Sequence, residues 1–126
     1  MKITHFGGTE ECNSVDELCE VLKKRYGNNA NEFWISNEER TPCFGIMVRD
    51  ECAYIQYFPD DESSGFVGLL ENNSSSEDVM TFYTNTIDEE IEVFIEMVVP
   101  FLEVEKAVID FFNNGELSKC LNWNEL

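Results

Sequence analysis

Basic side chains are scarce in this chain. Eight Lys and Arg stand against 26 Asp and Glu among 126 residues, a formal net charge of −18, and from Asp50 to Glu105 there is no Lys, Arg or His. Direct nucleic-acid binding is therefore disfavoured, because phosphate contacts need cations that displace condensed counterions. An anionic membrane surface is disfavoured on the same ground. Histidine is present once, as His5. Any Ser-His-Asp or Cys-His scheme must then run through it, and with no Ser, Cys or Asp in a nucleophile context nearby it reads as a structural or solvated residue. The five cysteines, Cys12, Cys19, Cys43, Cys52 and Cys120, are odd in number and contain no C-x-x-C pair. Neither a zinc site nor a disulfide framework follows, and they read as reduced, buried thiols. Gly7-Gly8 lacks the Lys and the strand-to-helix setting of a phosphate loop. No apolar run reaches signal-peptide or membrane-spanning length, so the expected place of action is the cytosol.

What is there is the material of a packed globule. Hydrophobic residues make up 43% and aromatics 13%, with ten Phe, which argues against a disordered acidic tail. The length suits one domain, residues 1–126, with a single core. Such acidity strains the folded state by self-repulsion and suits a basic partner.

Ser14-Val15-Asp16-Glu17 is a capping box, and Val15, Leu18, Cys19 and Leu22 follow at helical spacing, with Lys23, Lys24 and Arg25 complementing the dipole before Gly27-Asn28-Asn29. The runs 32–36, 43–49, 53–58, 66–70 and 79–84 read as strands, the second and third joined as a hairpin through Asp50-Glu51. Asn72 to Ser76 form the turn before the last of these. Ile91, Val93, Ile95, Met97 and Val99 alternate with Glu92, Phe94, Glu96 and Val98, predicting one long strand with its odd-numbered side buried, stopped by Pro100. Val104, Ala107, Val108, Phe111 and Phe112 then predict a helix, ended by Asn114-Gly115. The order gives an α+β domain: an antiparallel sheet of about five to six strands with an N-terminal and a C-terminal helix packed on it.

Asp60-Asp61-Glu62-Ser63-Ser64-Gly65, with Glu71, imitates a calcium loop. Glu at the third position and the β-type run Tyr54 to Phe58 in place of a flanking helix argue against it. Acid pairs of the glycosidase kind occur everywhere in so acidic a chain and carry no information. No cofactor is implied.

The hairpin from Phe44 to Phe58 with its Tyr57-Phe58-Pro59 ending, the acidic turn before Gly65-Phe66-Val67, Val79 to Tyr83, Val99-Pro100, the helix Val104 to Leu117 containing Phe111-Phe112 and Gly115, and Trp123 together resemble the "immunity protein one" family of bacterial polymorphic-toxin and contact-dependent growth inhibition systems. The likeness covers residues 30 to 126; before it only a leading helix matches. It implies a non-enzymatic antidote that binds one cognate toxin C-terminal domain, often a deaminase or nuclease, whose basic substrate groove an acidic inhibitor would occlude. Charge and exposure, rather than the resemblance, nominate Asp60, Asp61 and Glu62 on one turn and Asp88, Glu89, Glu90 and Glu92 on another as contacts with basic residues. Trp34 and Trp123 are possible aromatic anchors, each with a core role as the expected alternative. Two other readings remain: an unrelated acidic regulator or nucleic-acid mimic, and an enzyme using carboxylates or a metal.

Overall fold

The computed structural model describes residues 1–70 and 77–126; the expected turn at Asn72 to Ser76, and Glu71, lie outside the described residues. The chain forms β1 (Lys2–His5), β2 (Gly8–Glu11), α1 (Val15–Leu22), β3 (Ala30–Ser36), β4 (Cys43–Arg49), β5 (Cys52–Phe58), β6 (Phe66–Leu69), β7 (Val79–Tyr83), β8 (Glu90–Phe94), a 3-10 turn (Ile95–Met97), β9 (Val99–Pro100), α2 (Phe101–Asn114) and β10 (Asn122–Glu125). This is the α+β order expected, with more strands. The main sheet has eight, all antiparallel, in the order β10-β6-β5-β4-β3-β1-β2, with β9 on β5; β7 and β8 form a separate ribbon. The strands not foreseen, β1, β2, β9 and β10, are four residues or fewer. So short a run shows no periodicity against its polar neighbours.

Strand alternation sorts the sheet into two faces. Ile3, Phe33, Ile35, Phe44, Ile46, Val48, Ala53 and Ile55 face the helices and meet Leu18, Val21 and Leu22 of α1 and Val104, Ala107, Val108 and Phe111 of α2 in one buried cluster. The register aligns these side chains across strands: Ile3 opposite Ile35, Ile35 opposite Phe44, and Phe33 opposite Ile46, itself opposite Ile55. Phe111 meets the Phe44 ring edge-on at 5.0 Å, a geometry the ring quadrupoles favour. Each fully buried Phe contributes about 1.5–3 kcal/mol through removal from water.

The helix ends follow local chemistry. Ser14 Oγ accepts from the Glu17 amide at 3.2 Å, as a capping box requires, but the Glu17 carboxylate reaches Asn13 N–H, not Ser14 N–H. At the other end Arg25 donates to the Leu22 carbonyl at 2.7 Å and lies 4.7 Å from the Phe101 ring centroid, joining the end of α1 to the start of α2. Gly115 closes α2 in the left-handed conformation, φ 70°, where glycine carries no Cβ penalty.

Between Glu90 and Val99 the long alternating strand is not formed. The chain breaks into β8, the 3-10 turn and β9. Val93 is buried with Met47 and Phe82 on the helix-free side of the sheet, whereas Val99 is buried in the helix-side core. Five residues, 94–98, thus carry the chain from one side of the sheet to the other, past the edge of β5 where β9 pairs with Cys52 and Ala53. A single strand cannot bury one face on both sides of a sheet, and Ile91 and Ile95 of the expected buried row are exposed.

Candidate functional site

The helix-free face carries Glu32, Trp34 and Ser36 of β3, Gly45 and Met47 of β4, and Tyr54, Gln56 and Phe58 of β5. The β7–β8 ribbon covers one half. Its inward side chains Met80, Phe82 and Val93 pack with Met47, Cys52 and Tyr54. Two polar ties hold the ribbon down. The buried Glu32 carboxylate accepts from the Thr84 hydroxyl at 2.5 Å and the Asn85 amide at 2.9 Å, and Arg49 donates to the Thr81 carbonyl at 3.0 Å.

The other half is open. Trp34 lies there 44% exposed, with its ring over Gly45 and its centroid 6.1 Å from that of Phe58. Gly45 is what permits this seat: a Cβ built at that position would stand 2.8 Å from Cζ3 of Trp34. The ring divides two hollows. On the ribbon side a cavity of about 190 Å³ is lined by Glu32, Trp34, Gly45, Tyr54, Gln56 and Ile91 among others. On the far side a cavity of about 740 Å³ runs under the loops after β3 and β5, where Trp34 and Phe58 meet the carboxylates Glu38, Glu39, Asp60 and Asp61 and the cations Lys2 and Arg40.

The nominated acids fall into three places. Asp60 and Asp61 line the larger cavity and Glu62 is exposed next to them. One Asp60 oxygen organises its own turn, accepting from the amides of Glu62 and Ser63 at 2.9 and 2.8 Å, while Asp61 forms a loose ion pair with Arg40 at 3.5 Å. Asp88 and Glu89 sit in the ribbon's turn, where Glu89 accepts from the Asn85 side chain at 2.9 Å. Glu90 and Glu92 are opposite Tyr83 and Thr81, on the ribbon's outer side, away from Ile91 and Val93. The Asp60–Glu62 turn and the ribbon's acids thus sit on different elements.

The two tryptophans part company. Trp123, half-buried, donates its indole N–H to the Ser118 carbonyl at 3.0 Å and lies against Phe44 and Tyr57, a core role. Trp34, expected in the core, is on the open face. Its parity was the available signal, since Phe33 and Ile35 fill the helix side and leave residue 34 pointing away. Glu38 and Glu39 also went unnominated, for want of any pattern around them.

Other candidate chemistry is used up structurally. Both ring nitrogens of His5 are engaged, Nδ1 accepting from the Gly7 amide at 3.0 Å and Nε2 bonded to Glu10 at 2.6 Å. Glu10 is held below the usual carboxylate range by Lys24 and then His5. All five cysteines are free, but only Cys12 is fully buried; the others are half-buried. Burial pushes the Cys43 thiol up, and the charge of Asp61 adds to the effect, so this cavity-lining sulfur is a poor nucleophile. Among the described residues no three His, Cys, Asp or Glu side chains converge to hold a metal, and the calcium-like loop runs between two strands, β5 and β6. No helix among the described residues is long and apolar enough to cross a membrane.

Over 122 residues the chain is 30% identical to the double-stranded DNA deaminase immunity protein of Burkholderia cenocepacia (strain H111), and the match spans 96% of each chain. No protein-family model matches the chain.

Proposed function

Because this chain belongs to the family of the double-stranded DNA deaminase immunity protein, we propose that it is a non-enzymatic antidote that binds and neutralises a deaminase toxin domain. The observation that carries this reading is the 30% identity spread over 96% of both chains, which leaves no room for a shared fragment as its source. The resemblance of residues 30 to 126 to the "immunity protein one" family supports the same reading, and we propose membership of that family. A toxin acting on DNA must present cations to a polyanion. A partner of net charge −18 meets such a surface with long-range attraction and fast association. Occlusion of the toxin's basic substrate site in the cytoplasm is the mode of action proposed, with no cofactor and no direct nucleic-acid contact.

The test is co-expression with a candidate deaminase toxin domain, sought immediately upstream of this chain's gene, followed by titration of the purified pair. Protection of the cells, and binding that weakens as salt rises, are expected. Unprotected cells together with no measurable binding would sink the antidote reading.

A further inference from the structure

Among the described residues the exposed large apolar side chains include Trp34 beside its acid-lined cavity, the cross-strand pair Val79 and Phe94 on the ribbon's outer side, and Leu102 on α2. Of these, only the first joins an exposed aromatic ring to charges that specify an occupant. Trp34 is a large apolar side chain kept 44% exposed, on a seat that a glycine keeps clear, at the wall of the cavity of about 740 Å³. Four carboxylates, Glu38, Glu39, Asp60 and Asp61, share that cavity with two cations, Lys2 and Arg40. The Arg40 side chain is 88% exposed and its contact with Asp61 is loose, at 3.5 Å. An exposed pair of this kind contributes little and is readily displaced.

We infer that the toxin docks on this open half of the sheet through a basic segment led by an arginine, whose guanidinium stacks on the Trp34 ring while the cavity's carboxylates take its charge. This rests on the antidote reading and names the contact it leaves open. Arginine fits better than lysine, because its planar guanidinium stacks on an indole face and binds carboxylates through two parallel N–H groups at once. A phosphate or a nucleic acid is repelled by the same carboxylates. A second copy of this chain fits poorly, since it would bring two surfaces of net charge −18 together. Trp and Arg are also the residues most enriched among those that dominate binding energy, particularly in well-desolvated pockets. The Trp34 ring would stand as the buried centre of the interface, with Asp60, Asp61 and Glu62 on its rim. The outward-facing Glu90 and Glu92 would then act at a distance, on approach.

The experiment titrates a catalytically inactivated form of the candidate deaminase toxin domain against wild-type protein and four variants, at low and high salt, with circular dichroism and melting curves on each. Trp34→Ala is expected to weaken binding at least about 30-fold, mainly through faster dissociation, while Trp34→Phe, which keeps a ring face, stays within about fivefold. Asp61→Asn is expected to slow association and flatten the salt dependence. Arg40→Gln removes one of the cavity's two cations and is expected to speed association at low salt, an outcome a merely structural role for Arg40 would not produce. If wild type binds tightly and Trp34→Ala stays within about threefold of it, the toxin docks elsewhere and this inference falls while the antidote reading stands. Weaker binding by Arg40→Gln would likewise overturn the guanidinium seat. If wild type itself fails to bind, the antidote reading falls and takes this inference with it.

Discussion

Gly45→Ala tests whether the seat of Trp34, and not merely its presence, sets affinity. The added methyl would stand 2.8 Å from Cζ3 and 2.9 Å from Cη2 of the ring. Carbon atoms prefer separations of about 3.5–4.0 Å, so the ring must withdraw by about 0.7–1 Å. It has room, being exposed on its outer side. Folding stability should therefore fall by less than about 1 kcal/mol, partly offset by the roughly 0.4–1 kcal/mol that Gly→Ala recovers from the unfolded chain. A gap of 0.5–1 Å forfeits about a quarter to a half of a dispersion contact. Applied to an anchor contributing about 2–3 kcal/mol, that is about 0.5–1.5 kcal/mol, or roughly a 2- to 12-fold loss of affinity for the toxin domain. The assay is a double-mutant cycle by calorimetric titration. In a Trp34→Ala background Gly45→Ala should change affinity less than about twofold, because the ring through which it acts is gone. Equal losses with and without Trp34 would refute the reasoning, as would a stability loss above about 3 kcal/mol, which would mean the ring cannot move.

Three further outcomes follow from the same geometry. Asn31→Ala removes a fully buried side chain that accepts from the amides of Phe6 and Glu32 at 3.1 and 2.9 Å and donates to the Lys24 carbonyl at 2.9 Å; at about 1 kcal/mol per bond the urea midpoint should fall by the equivalent of about 3 kcal/mol with an unchanged slope. Glu32→Ala should release the turn between β7 and β8, seen as lost hydrogen-exchange protection at Asn85 with a global loss of roughly 1–2 kcal/mol; protection that persists would contradict the tie. Burial raises the Cys12, Cys43, Cys120, Tyr54 and Tyr57 acidities' midpoints above their ordinary values, so the native state holds protons that the unfolded chain gives up. Their contribution is whole below the unfolded values, about 8.5 for Cys and 10 for Tyr, and is lost as pH rises through the folded ones; urea midpoints should be flat from pH 7 to about 8 and then decline, and a rise above pH 9 would contradict the assignment.

Where a segment carried a strong period or a cap, its structure was legible beforehand. The Ser14 cap, the α2 spacing with its Gly115 stop, and the hairpin through Asp50-Glu51 all formed, because each is decided by neighbours within a few residues. The failures involve information held elsewhere in the chain. Glu90 to Val99 has the pattern of one strand, yet it is divided because its apolar residues belong to cores on opposite sides of the sheet. Strand β1 closes against β3, some thirty residues on, and β10 against β6, partners no local window contains. At the candidate site, charge alone pointed to Asp60 and Asp61. Trp34 was weighed as an anchor with a core role favoured, because an aromatic inside an apolar run defaults to the core, and only its parity relative to Phe33 and Ile35 distinguishes it.

That parity bears on how such a chain can change over generations. In β3 the residues that hold the fold, Phe33 and Ile35, and the exposed residue proposed to meet the toxin, Trp34, alternate along the same seven-residue strand. Substitutions at position 34, or in the loops that carry Glu38, Glu39 and Asp61, alter what the open face recognises without removing an atom from the helix-side core. If the toxin docks there as proposed, mutational drift at those places is judged by the toxin and little by stability, and descendants acquire new specificities in single steps while keeping the same scaffold.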